Sequence, residues 1–195
     1  GNTIVVADGS ASMMARVGNT KVSALNVAES LAIYFAEHMS GEFKDKYITF
    51  SMKPQLVDFS HATTLANKLA IAHQPHEAAN TTIEAVFDLI LGTALANHMS
   101  QEDLPKNILI ISDMEFDSCV SYGQPRKSYW NAYVKPTQTD FQTIADKYCQ
   151  YGYKLPRLVF WNVCSRTGTI PVKENKLGVA LVSGFSQNVA NMVLN

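Results

Sequence analysis

Cysteine is scarce in this chain, and its placement excludes two architectures. Cys119, Cys149 and Cys164 are odd in number and form no C-x-x-C pair. Neither a disulfide framework nor a zinc site is expected, and free thiols in a reducing, cytoplasmic compartment are. Long hydrophobic runs are missing too: none approaches the ~18 residues of a membrane-spanning helix, and no signal peptide is visible. Nor does charge of one sign dominate. Sixteen basic against seventeen acidic residues leave a net charge of −1, which argues against a broad electrostatic footprint for nucleic acid, DNA included, or an anionic membrane. There is no internal repeat, low-complexity tract or dividing linker, and no phosphate-cradling loop with the required glycine spacing and lysine.

What remains is 195 residues, 47% hydrophobic and 17% charged, enough to bury a substantial core. One domain over 1–195 is expected. Because the chain opens almost directly on a core strand, it is expected to be excised from a longer protein. The apolar pattern alternates between strand and helix. Strands are expected at Ile4–Ala7, Tyr47–Phe50, Asn107–Ser112, Arg157–Val163 and Leu177–Val182, with a short edge strand over Gln55–Phe59. Helices are expected over Val22–Met39 (Leu25, Ala28, Leu31 with Ala32, and Phe35 inward), Leu65–Ala72, Ile83–Leu95, Thr139–Tyr151 and Ser186–Leu194. This alternation predicts an α/β fold: a doubly wound, mostly parallel sheet flanked by helices on both faces, with one short antiparallel edge strand.

Two of the buried strands end in a carboxylate. The first delivers Asp8-Gly9-Ser10-Ala11-Ser12, an acid and two hydroxyls at spacing two. Alternate residues of a still-extended loop converge on one point, and an all-oxygen donor set suits a hard divalent cation. The strand Asn107–Ser112 ends in Asp113, and Asn80-Thr81-Thr82 opens the helix between the two strands. A threonine there is ordinarily an N-cap; the other reading turns its hydroxyl toward a metal. In open α/β sheets, ligand sites gather outside the carboxyl ends of the strands, so the three segments are expected to meet at one edge.

These residues resemble the three motifs of the metal-ion-dependent adhesion site of von Willebrand factor A-type domains. The resemblance spans essentially the whole chain. It implies a Rossmann-like fold whose metal ligands are Asp8, Ser10, Ser12, Thr81 (with Thr82 as runner-up) and Asp113. The implied ion is Mg²⁺, with Mn²⁺ or Ca²⁺ as substitutes, and the implied partner is a protein offering a carboxylate. The first motif departs from the family pattern in one respect: Ala11 stands where glycine is common, and alanine tolerates positive φ poorly. Ile111-Ser112-Asp113-Met114-Glu115-Phe116-Asp117, Phe160-Trp161-Asn162-Val163 and Val182-Ser183-Gly184-Phe185-Ser186 resemble the C-terminal domain of proteins related to the Ro ribonucleoproteins (TROVE type). That branch implies RNA binding by the full-length protein.

Three readings follow. The first is a non-enzymatic, cation-dependent binding module. The second is a metal-dependent phosphohydrolase using Asp8; haloacid-dehalogenase-type phosphatases carry a second aspartate two residues on, where this chain has Ser10, so the proton shuttle is missing. Glu115 or Asp117 would have to serve as base, although such residues more often order a loop. The third is a metal-free scaffold. It would make contact through the segment 118–136, whose Tyr122, Tyr129, Trp130 and Tyr133 lie among Arg126, Lys127 and Lys135. That composition suits either a packed insertion or stacking on RNA bases. His73 and His76, separated by Pro75, are expected to be solvated loop histidines rather than metal ligands.

Overall fold

The computed structural model describes residues 2–51, 53–74, 83–113, 138–163 and 179–183. Their elements run β1 (Thr3–Asp8), α1 (Ala24–His38), β2 (Lys46–Phe50), β3 (Leu56–Asp58), α2 (Leu65–Ala72), α3 (Ile83–Ala96), β4 (Asn107–Ser112), α4 (Gln138–Gln150), β5 (Arg157–Asn162) and β6 (Val179–Ser183). The six strands form a sheet in the order β3-β2-β1-β4-β5-β6. Every pairing is parallel except the edge pair β2–β3. This is the doubly wound architecture expected, antiparallel edge included.

A parallel strand packed on both faces needs apolar residues through its middle, which is why Ile4–Ala7 of β1, Ile108–Ile111 of β4 and Leu158–Trp161 of β5 read as unbroken hydrophobic runs. Their side chains alternate between two cores. Ile4, Val6, Ile108, Ile110, Leu158 and Phe160 pack on the face covered by α3 and α4. Val5, Ala7, Leu109, Ile111, Val159 and Trp161 pack on the opposite face with α1 and α2.

Helix α1 starts at a capping box. The Ser23 hydroxyl accepts the Asn26 N–H at 3.1 Å, and the Asn26 side-chain oxygen accepts the Ser23 N–H at 3.2 Å. Both bonds occupy N–H groups that would otherwise lack a partner in the first turn. Ser23→Ala is expected to cost about 1 kcal/mol, measurable as a lower urea midpoint with an unchanged slope. The buried stripe of α1 keeps Ala28, Ala32 and Phe35 of the expected one but is rotated at its margin: Val27 and Ile33 are buried, whereas Leu25 and Leu31 are only partly so. The rotation also carries Glu29 inward to 5% exposure, and its carboxylate lies 3.0 Å from His73 Nδ1, at the end of α2. His73 is exposed to solvent as expected, with its side chain 61% accessible, but it has a further role; a carboxylate taken into an apolar layer needs a hydrogen-bonding partner, and His73 supplies one. His76 and the expected closing helix Ser186–Leu194 lie outside the described residues.

Candidate functional site

The strand order reverses direction between β1 and β4. From β1 the chain winds outward through β2 and β3, and from β4 it winds the other way through β5 and β6. The crevice at such a switch point, outside the carboxyl ends of the strands, is where open α/β sheets take ligands. Asp8 is the last residue of β1, and Asp113 directly follows β4. Both carboxylates are buried, at 7% and 3% exposure, as is the intervening Ser112.

The Asp8 carboxylate is held from both sides. Its Oδ1 accepts the Ser10 backbone N–H at 2.9 Å, and its Oδ2 accepts the Ser112 hydroxyl at 2.7 Å. Beyond Ser10 the chain enters a single 3-10 turn, Ala11–Met14, which brings the Ser10 and Ser12 hydroxyls to 3.0 Å from one another. On the far side of the crevice, the Asp113 N–H donates to the sulfur of Met13 at 3.1 Å. Burial pushes the Asp8 carboxyl above the ordinary carboxylate value; the bonds from Ser112 and Ser10 oppose this, and the negative charge of Asp113 adds to it. Two carboxylates thus feel each other in a partly desolvated crevice.

Of the five expected metal ligands, Asp8, Ser10, Ser12 and Asp113 are placed on this edge. Thr81, with its runner-up Thr82, lies outside the described residues, and α3 begins at Ile83 directly after them. The departure at Ala11 is harmless. Among the described residues, the non-glycine positions with positive φ are Asp45 and His98, so the loop makes its turn through a 3-10 segment that alanine adopts freely. Gly9 is not required by crowding either, since a Cβ there would meet nothing within 4 Å.

Sequence reasoning missed Ser112 and Met13. A serine before the terminal aspartate and a methionine after the second hydroxyl gave a weak signal: each is an unremarkable residue until its partner, 104 or 100 positions away, is known. The buried hydroxyls at the end of β2 serve a different purpose. Thr49 accepts the Gln55 N–H at 3.0 Å and Ser51 donates to the Lys53 carbonyl at 2.8 Å, which stitches the β2–β3 connection. Glu115 and Asp117 lie outside the described residues, as does the segment 118–136.

The donor set fits a hard cation and not a soft one. Among the described residues no three His, Cys, Asp or Glu side chains cluster to hold a metal, so an ion at this edge would rely on two carboxylates and on hydroxyl oxygens, the chemistry Mg²⁺ and Ca²⁺ prefer.

Sheet order, crevice and flanking helices define a doubly wound, Rossmann-like α/β fold, consistent with that of von Willebrand A-type domains. The chain belongs to the family described as a domain of unknown function (DUF7788), whose model matches residues 2–195. It is 27% identical over 174 residues to the uncharacterized protein L728 of Acanthamoeba polyphaga mimivirus, an alignment covering 88% of this chain and 28% of the viral protein. Among solved structures it is similar to the RO (RSR) protein of Deinococcus radiodurans, with a TM-score of 0.61, 15% identity, 97% of this chain and 32% of that one covered. An aerotolerance-related membrane protein of Bacteroides fragilis, with multiple mutations to serines, gives a TM-score of 0.51 at 16% identity over 100% of this chain and 97% of its own. At such identities the two structures bear on the fold alone. The chain spans about a third or less of the viral and Deinococcus proteins. Among its described residues, no helix is long and apolar enough to cross a membrane.

Proposed function

We propose that this chain is a non-enzymatic binding module that holds Mg²⁺ at the carboxyl edge between β1 and β4 and presents it to a carboxylate of a protein partner. The observation that carries the reading is the pairing of two buried carboxylates, Asp8 and Asp113, beside the adjoining Ser10 and Ser12 hydroxyls. Like charges in a desolvated crevice disfavour one another, and a divalent cation between them converts that cost into attraction. Asp8, Ser10, Ser12 and Asp113 would hold the ion, with Thr81 added by the family resemblance. When bound, the ion supplies an electrophilic centre for an incoming oxygen ligand, since Mg²⁺ keeps coordination positions for water or a partner. Ser112 and the Ser10 N–H orient the Asp8 carboxylate, so the donor is set before any ion arrives.

A phosphohydrolase reading is less well supported. The residue two positions after Asp8 is a hydroxyl bonded to Ser12, which cannot shuttle a proton at neutral pH as a carboxyl group would. RNA binding by a full-length protein rests on the Ro resemblance alone.

The test is a thermal melt of metal-stripped protein against Mg²⁺, Mn²⁺ and Ca²⁺. A ligand bound by the native state alone stabilises it by about 2.7 kcal/mol at a hundredfold excess over Kd. For a chain of this size that is a rise of roughly 5–10 °C, which Asp113→Ala should abolish. A wild-type melting temperature indifferent to all three ions would refute the module.

A further inference from the structure

We propose that Met13 is a positioning residue for this site, its thioether fixing the distance between the hydroxyl-bearing turn of β1 and Asp113. The inference deepens the cation-site reading and rests on it.

The β1–β4 ladder pairs Thr3 with Asn107 and runs to the pair Ala7–Ile111. The donors of the site stand past that last pair: Ser10 and Ser12 on one side, Asp113 on the other. Hydrogen bonds that cross the crevice must therefore take over where the ladder stops. One runs from Ser112 to Asp8. The other runs from the Asp113 N–H to the Met13 sulfur, and it ends on the residue next to Ser12.

Met13 is suited to that role because it cannot drift. It is fully buried, packed in the cluster that holds Val5, Ala7, Ala28, Ile111 and Trp161. Its own N–H is bonded to the Ser10 carbonyl at 3.1 Å, and the following turn closes with the Ala15 N–H on the Ser12 carbonyl at 3.0 Å. Sulfur is a weak acceptor, but an unmet buried donor is costly. Any shift of the turn that moves the Ser12 hydroxyl moves the Met13 sulfur with it, and the Asp113 main chain follows. An aliphatic side chain of the same bulk would fill the space without carrying that link.

The variant that separates packing from positioning is Met13→Leu, a near volume-conserving exchange that removes the acceptor. Two quantities are read: amide hydrogen exchange resolved at Asp113 in metal-free protein, and the Mn²⁺ concentration giving half-maximal thermal stabilisation. In Met13→Leu, exchange at Asp113 is expected to rise about fivefold relative to Ile110 and Ile111, and the Mn²⁺ midpoint to rise by about the same factor. Protein carrying selenomethionine at its seven methionines keeps a chalcogen acceptor and should behave as wild type in both. Unchanged exchange at Asp113 overturns the proposal, as does exchange that rises equally along β4, which would mark a packing role. A wild-type protein that ignores Mn²⁺ refutes the cation site instead, while the exchange contrast still decides whether Met13 holds Asp113.

Discussion

Replacing Asp8 by asparagine is expected to raise the melting temperature of the metal-free protein at pH 8 while abolishing its response to Mg²⁺. The first effect follows from burial. Asp8 is 7% exposed, and desolvation, aided by the charge of Asp113, holds its carboxyl above the ordinary value despite the bonds from Ser112 and Ser10. An acid whose folded-state pKa is raised is one whose ionised form the fold penalises. Asparagine removes the charge but keeps an oxygen for the Ser10 N–H, and the Ser112 hydroxyl can donate to or accept from an amide. The second effect follows from the donor set. Loss of one of two carboxylates should eliminate the ~2.7 kcal/mol that a hundredfold excess of Mg²⁺ otherwise contributes.

The pH dependence gives the same prediction a sign. Between the unfolded and the folded pKa of Asp8, the native state binds more protons than the unfolded chain, so stability rises as pH falls through the folded value and gains nothing further below the unfolded one. The advantage of Asp8→Asn over wild type should therefore be full above the folded pKa and shrink as pH falls through it. Melting curves of the two proteins from pH 8 to pH 4, without metal, check this. An advantage that grows on acidification would contradict the burial account of Asp8.

Those expectations depend on contacts that differ in how visible they are in the sequence. β1, β4 and β5 are legible because a strand covered on both faces has nowhere to put a polar residue until it reaches the edge. For the same reason the first polar residues, Asp8 and Ser112-Asp113, mark where the edge is. The antiparallel β3 is legible from Pro54, which interrupts the chain just before it. What periodicity cannot supply is the identity of the neighbour across a gap. Ser112 and Met13 acquire meaning only when β1 and β4 are side by side, and that adjacency is a property of strand order. Helix α1 illustrates the same limit within one element. Its leucines outline a plausible apolar stripe with Ala28 and Ala32, yet the face that packs takes Val27 and Ile33 beside those alanines and leaves the leucines at its margin. Small residues there allow the helix to approach the sheet, and the buried Glu29 is tolerated because His73, just past the end of α2, meets it.

The largest expected loss of stability lies away from the site, at Tyr148→Ala. Tyr148 sits on α4 with no exposed surface, its ring edge-on to Phe87 at a centroid separation of 5.9 Å. Its hydroxyl donates to the Phe87 carbonyl at 2.7 Å, and burial pushes the phenol well above its usual pKa, so it remains a donor through the alkaline range. Removing the side chain deletes the ring contact and the bond together and opens a cavity between α3 and α4. The cost should be about 3–5 kcal/mol. Tyr148→Phe keeps the ring and is expected to cost only about 1 kcal/mol. Deleting the neighbouring ion pair between Lys147 and Asp88, 2.6 Å apart but half-exposed, should cost less than about 1 kcal/mol. Urea unfolding of the three variants orders these terms, and a Tyr148→Ala loss no larger than that of Tyr148→Phe would mean that the α3–α4 contact is not carried by the ring. Because Asp8→Asn is expected to gain stability while losing its ion, and Tyr148→Ala to lose stability at a distance from the crevice, the two variants separate the demands of folding from those of the site. The sheet tolerates the buried Asp8 carboxylate at its switch point because packing such as that of Tyr148 supplies the stability it withdraws.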